Sequence, residues 1–159
     1  MKLQLQNPLF VVADMERSKN FYKTVLGLEP VSDFGANVVL EGGLALQTLD
    51  SWAGFLGKTP EEIAFGGNSS EVYFETGDFD GFLRQLFERP SVELVHAPLE
   101  HRWGQRVVRL YDPDRHIIEV GEAISDVCRR FRDSGLDEEG IARRMDVPVE
   151  YVREQLKRP

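Results

Sequence analysis

Cysteine is almost missing from this sequence. Its 159 residues hold one, Cys128, and a lone thiol cannot close an intramolecular disulfide, so a reducing compartment is expected. Long hydrophobic runs are missing as well: no apolar stretch approaches the ~20 residues that span a bilayer. The opening MKLQLQNPLFVV has neither a long apolar core nor a small-residue cleavage site, so a secretory signal is not expected and the cytoplasm is. Positive charge is in short supply, 19 Lys and Arg against 27 Asp and Glu, for a net charge of −8. That balance disfavours nonspecific attraction to phosphate backbones and anionic membranes. Histidine is scarce, with only His96, His101 and His116. What is present is the composition of a soluble globular protein, 42% hydrophobic and 29% charged.

Punctuation along the chain predicts an order of elements that runs twice. Residues 5–13 (LQNPLFVVA) read as a strand, Asp14 as a helix N-cap, and 15–26 as a helix with Phe21, Tyr22, Val25 and Leu26 at helical spacing. Gly27 closes it. Strand-like pieces follow at 30–34, 37–41 and 44–49, the last two joined at Gly42-Gly43, a hairpin signal. After a glycine-rich connector at 50–69, holding at most one helical turn, the pattern restarts. Residues 70–76 (SEVYFET) read as a strand and Asp78 as a cap. Phe79, Phe82, Leu83, Leu86 and Phe87 then form one apolar helix face, which Pro90 ends. Strands are expected at 92–97, 105–111 and 116–121, with Asp112-Pro113-Asp114 as the last turn. Asn7 precedes the cap Asp14 by seven residues, and Glu71 precedes Asp78 by the same interval, which supports an internal duplication.

The run DMERSKNFYKTVLGL (14–28) resembles the opening motif of the vicinal oxygen chelate superfamily, and WGQRVVRLYDPDRHIIEV (103–120) is similar to its closing motif. The resemblance covers residues 5–121. It implies an α+β fold of paired βαβββ modules forming a cupped mixed sheet, with residues 1–121 as a glyoxalase/bleomycin-resistance-like domain and 122–159 as a helical extension. The superfamily spans glyoxalases, epimerases, thiol transferases, extradiol dioxygenases and metal-free drug-sequestering proteins, so fold leaves chemistry open.

In metal-binding relatives the ligands come from the first and last strands of each module, positions that fall here on Asn7, Gln47, Glu71 and Glu119. Two are neutral amides where relatives carry stronger donors, and all four offer oxygen. The set leaves two readings open: one weakly held divalent ion, Mn²⁺ or Mg²⁺ ahead of Zn²⁺, or no metal at all. None of the three histidines stands at a ligand position, which argues against an extradiol dioxygenase. Glu119 lies in the apolar strand HIIEV, where an isolated buried carboxylate costs several kcal/mol unless something compensates it; its alternative is an edge glutamate facing water. Alternation in EVYFET puts Glu71, Tyr73 and Glu75 on one face, which an ordinary solvated strand would also show. As catalytic residues, Glu71 and Glu119 imply proton transfer in a lyase or isomerase. His101, Arg102 and Trp103 fall where relatives place the pocket mouth, the Arg suited to a carboxylate and the Trp to an aromatic ring; exposed loop contacts are the competing reading. Arg115 replaces a glycine usual in relatives, which predicts a turn without positive φ.

Residues 122–159 read as three helices, 123–133, 137–145 and 148–157, the last two similar to a small helix-turn-helix. Nine acids against eight bases leave no basic stripe, so nucleic-acid binding is not expected. Helices this short are marginal alone, so Ile124, Val127, Phe131, Leu136, Ile141, Met145, Val152 and Leu156 must bury against the β modules, each other or a second subunit. A homodimer using part of this tail is the expected assembly. The functional readings are a glyoxalase-like enzyme, a metal-free small-molecule or drug-binding protein and, behind them, a ligand-sensing regulator.

Overall fold

Alternating strands and capped helices build two βαβββ modules in sequence. The computed structural model describes residues 2–158. Two compact units result: one runs to Ser70 and takes in Tyr111–His116, and the other is made of Glu71–Leu110 and the chain from Ile117 on.

In the first unit β1 (Leu9–Val12) leads to α1 (Met15–Leu26), then β2 (Pro30–Asp33), β3 (Asn37–Leu40) and β4 (Ala45–Thr48). The Asp14 carboxylate accepts the Arg17 amide at 3.0 Å, satisfying an otherwise unpaired helix N–H, and Gly27 closes the helix at φ 72°. The sheet runs β1-β4-β3-β2, with β1 parallel to β4 and both other pairs antiparallel. Val12, Tyr22, Val38, Leu40 and Leu46 are fully buried. The connector carries α2 (Leu49–Leu56), two turns rather than one. Trp52 is half-buried in it, and Phe55 is 73% exposed.

The second unit repeats the topology. Here β5 (Glu71–Thr76), α3 (Phe79–Phe87), β6 (Leu99–Glu100), β7 (Arg106–Tyr111) and β8 (Ile117–Glu122) give a sheet ordered β5-β8-β7-β6. Asp78 caps α3 through the Gly81 amide at 2.8 Å. Phe79 and Leu86 bury their rings and branches, whereas Phe87 stays mostly exposed. The strand expected at 92–97 is reduced to a single bridge, Leu94 with Leu110, and pairing resumes only at Leu99 and Glu100. Pro98 lies between and has no N–H to give the ladder.

One local expectation is overturned. Arg115 does adopt a positive φ, 67°. The Asp112 carboxylate holds the turn by accepting the amides of Asp114 at 2.9 Å and His116 at 2.8 Å. That grip compensates a left-handed non-glycine residue, which costs on the order of 1–3 kcal/mol.

The tail forms α4 (Ile124–Asp133), α5 (Glu138–Met145) and α6 (Val149–Leu156) within the second unit. Val127, Cys128, Phe131, Ile141, Ala142, Met145 and Val152 make its core, with Trp103, Ile124, Val147, Val149 and Leu156 packed around them. Burying each large apolar side chain contributes about 1.5–3 kcal/mol. The three short helices therefore stabilise one another. Of the eight apolar positions singled out above, only Leu136 remains exposed, at 36%. Among the described residues no helix is long and apolar enough to cross a membrane.

Candidate functional site

The parallel pairing of β5 with β8 sets Glu71 beside Ile117 and Tyr73 beside Glu119, so Glu71, Tyr73 and Glu119 share one face of the sheet. Between the two glutamates stands Arg109, from β7. Its Nε donates to Glu71 Oε2 at 2.8 Å, and its Nη2 pairs with the Glu119 carboxylate. Side-chain exposure falls from 38% at Glu71 through 22% at Arg109 to 7% at Glu119, so the pair reaches from solvent into the protein. Burial raises the Glu119 carboxyl above the ordinary glutamate range; Arg109 opposes the shift and Glu71 adds to it. The hydrogen bond it donates to Glu71 pushes the Arg109 guanidinium further into its charged form. His96 and His101 lie within reach of these charges, and the His101 imidazole is lowered by burial and by Arg109.

A second layer fixes the same face. Gln105 Nε2 donates to the Tyr73 hydroxyl at 2.5 Å and to the Glu122 carbonyl at 2.9 Å, and Tyr73 donates to Glu75 at 2.8 Å. Gly121 lies close beneath them: a Cβ there would come within 2.7 Å of Gln105 Nε2, which would have to shift. Burial raises the Tyr73 phenol, which keeps it a neutral donor.

The loop residues expected at a pocket mouth have other partners. The His101 ring stacks on Trp103 at 4.1 Å, and Trp103 packs against the tail core. Arg102 is exposed and pairs with Asp146 at 3.3 Å, while its carbonyl accepts from Arg144.

In the first unit, Gln47 is buried and committed: Oε1 accepts from Asn37 Nδ2 at 2.8 Å, and Nε2 donates to Ser51 Oγ. Asn7 lies before β1 rather than inside a strand, is exposed, and donates to the Gly43 carbonyl at 2.7 Å. His116 is a turn residue, its Nδ1 2.8 Å from Asp112 Oδ2 and its ring stacked on Phe10 at 4.1 Å.

A divalent ion does not fit these residues well. The oxygens of Glu71 and Glu119 that face each other already meet a guanidinium, and Gln47 Oε1 already accepts a hydrogen bond. Among the described residues no three His, Cys, Asp or Glu side chains are gathered as a ligand set.

Sequence reasoning missed Arg109. Its signal was available: a carboxylate embedded in an apolar strand requires a partner, and RVVRLY, the preceding strand of the same hairpin, offers an arginine.

Comparison with known proteins agrees with the fold. The Glyoxalase-like domain model matches residues 5–125. A protein of unknown function from Agrobacterium tumefaciens str. C58 is 40% identical, the match covering 77% of this chain and 95% of that one, with a TM-score of 0.70. A glyoxalase/bleomycin resistance protein/dioxygenase from Nocardioides is 22% identical over 77% of this chain and 84% of its own, TM-score 0.62. A glyoxalase/bleomycin resistance protein/dioxygenase family enzyme from Burkholderia phytofirmans PsJN is 14% identical over 74% and 96%, also at TM-score 0.62. No curated protein matches the sequence. With a family match over most of its length and two modules of one topology, the chain belongs to the glyoxalase-like domain family of the vicinal oxygen chelate superfamily.

Proposed function

We propose that this chain binds a small molecule carrying adjacent oxygens on the Glu71–Arg109–Glu119 face and moves a proton on it, as a lyase or isomerase. The observation that carries this reading is Glu119: a nearly buried carboxylate whose proton affinity is raised by that burial. Such a group suits a general base working nearer neutrality than a solvated glutamate. It takes a proton from the carbon beside a carbonyl, and the electron pair left behind moves onto the carbonyl oxygen. Arg109, the cation paired with Glu119, meets that developing charge. Return of the proton to the former carbonyl carbon, while the adjacent hydroxyl passes its proton to the oxygen that took the charge and becomes the new carbonyl, completes an isomerisation.

The test is exchange of that carbon-bound proton with D₂O, followed by NMR across a panel of α-hydroxy and α-oxo carbonyl compounds. Exchange should occur with the native protein and fall about 10²–10⁴-fold in Glu119→Gln. Exchange that is equal in both proteins contradicts the assignment.

A second reading, sequestration without chemistry, is favoured by one observation: Arg109 neutralises both carboxylates at once. It predicts compounds that raise thermal stability yet exchange no proton. For assembly we propose a two-fold homodimer. Its support lies in the exposed apolar residues Val31 and Phe34 rather than in the tail, most of whose apolar positions pack into its own core. Light scattering at micromolar concentration decides between dimer and monomer.

A further inference from the structure

We infer that Arg109 is the resident cation of this site, holding the place between Glu71 and Glu119 that a divalent ion would need, and that removing it turns the site into one that binds divalent metal. The inference rests on the same face being the ligand site, but its test reads metal rather than ligand, so the two fail separately.

Glu71 and Glu119 project to one side of the sheet, and each presents its Oε2 to the same guanidinium. A divalent ion binds carboxylate oxygen at about 2.0–2.6 Å. To reach these two oxygens it must displace the guanidinium or sit against its positive charge. Arg109 cannot escape that conflict by losing its proton, since its bond to Glu71 strengthens the charged form. Nor does Glu119 need a metal, because its buried charge is already opposed by a neighbour of opposite sign.

Without the guanidinium the same geometry has the opposite consequence. Two carboxylates then face each other with one of them almost wholly buried, the arrangement a cation relieves. Two oxygen donors of this kind suit Mn²⁺ or Mg²⁺ ahead of Zn²⁺.

Metal-stripped full-length protein is titrated with Mn²⁺, Zn²⁺ and Mg²⁺ by calorimetry and thermal shift, in the native form and in Arg109→Gln, Arg109→Ala and Arg109→Lys. The native protein and Arg109→Lys, which keeps a cation in place, should bind no ion saturably. Arg109→Gln and Arg109→Ala should each take up one ion per chain, raising the thermal midpoint by about 5 °C or more near saturation. Glu119→Gln added to Arg109→Gln should abolish the uptake. Should Arg109→Ala fail to fold, Arg109→Gln, which keeps most of the stem, carries the test. The proposal is overturned if the native protein binds one ion in a manner that Glu119→Gln removes. It is equally overturned if folded Arg109→Gln binds none.

Discussion

The two units share strand order, an aspartate cap and a parallel pair of strands at one edge of the sheet, yet they use buried carboxylates differently. In the first unit Asp112 accepts two backbone amides and the Tyr22 hydroxyl at 2.9 Å, and Asp114 pairs with Arg17 at 2.5 Å. Those carboxylates are consumed by the turn they hold. In the second unit Glu119 pairs with a side chain, that of Arg109, which it shares with Glu71. One arrangement locks backbone; the other joins two carboxylates through one guanidinium. A duplicated topology thus fixes where side chains stand without fixing which of them remain free for chemistry.

The largest stability effect should come from breaking the locked site. Asp112→Ala strands the Tyr22 hydroxyl and two amides, and each unsatisfied buried group costs about 1–3 kcal/mol. A loss of about 3 kcal/mol is expected, a fall of roughly 6–12 °C in thermal midpoint for a chain of this size. A change of a degree or two would show that the turn is held elsewhere.

A smaller effect sharpens the contrast inside β8. Burial pushes the Glu122 carboxyl up, but Arg130 at 3.0 Å and Arg106 at 3.2 Å together hold it below the usual range. A lowered carboxylate stabilises the fold above its unfolded pKa, and that stability is lost as pH falls through the folded value. A raised one, Glu119, acts in reverse: the native state holds its proton longer, so stability declines as pH rises from the unfolded value through the folded one. Glu122→Gln should therefore cost about 2 kcal/mol at neutral pH, discounted for partly exposed arginines, and flatten the acid limb of the stability curve. Glu119→Gln should remove the opposite slope. Denaturation midpoints measured across pH distinguish the two, and slopes of the same sign would refute the contrast.

The smallest effect belongs to the loop. Arg102 and Asp146 are each 83% exposed, so Arg102→Ala should change stability by less than about 1 kcal/mol. A larger loss in chemical denaturation would mean that this contact anchors the tail.

Signals confined to a few neighbouring residues were legible in the sequence. Asp14 and Asp78 read as caps and are caps; Gly27 and Gly42 read as turns and have positive φ. The eight apolar positions in the tail read as helices that must bury their faces, and all but Leu136 do so against one another. Features set by distant partners were not legible. The loss of strand at 92–97 reflects a proline acting on a ladder whose partner lies at 106–110. The positive φ at Arg115 depends on a carboxylate three residues back that is itself held by Tyr22, ninety positions away. Arg109 touches Glu71 across 38 residues, so neither glutamate's spacing announces it. Asn7 and Glu71 have equal offsets from their caps, yet only Glu71 lies within a strand.

The central claim is that one guanidinium serves a solvent-side and a buried carboxylate on the same face. It is tested most directly by carbon-13 NMR titration of the Glu119 side chain in the native protein and in Arg109→Gln. The Glu119 carboxyl should titrate above the ordinary glutamate range in the native protein and move higher still once Arg109 is replaced, because burial remains while the opposing charge is gone. A Glu119 that titrates in or below the ordinary range, or that does not respond to the loss of Arg109, would contradict the account.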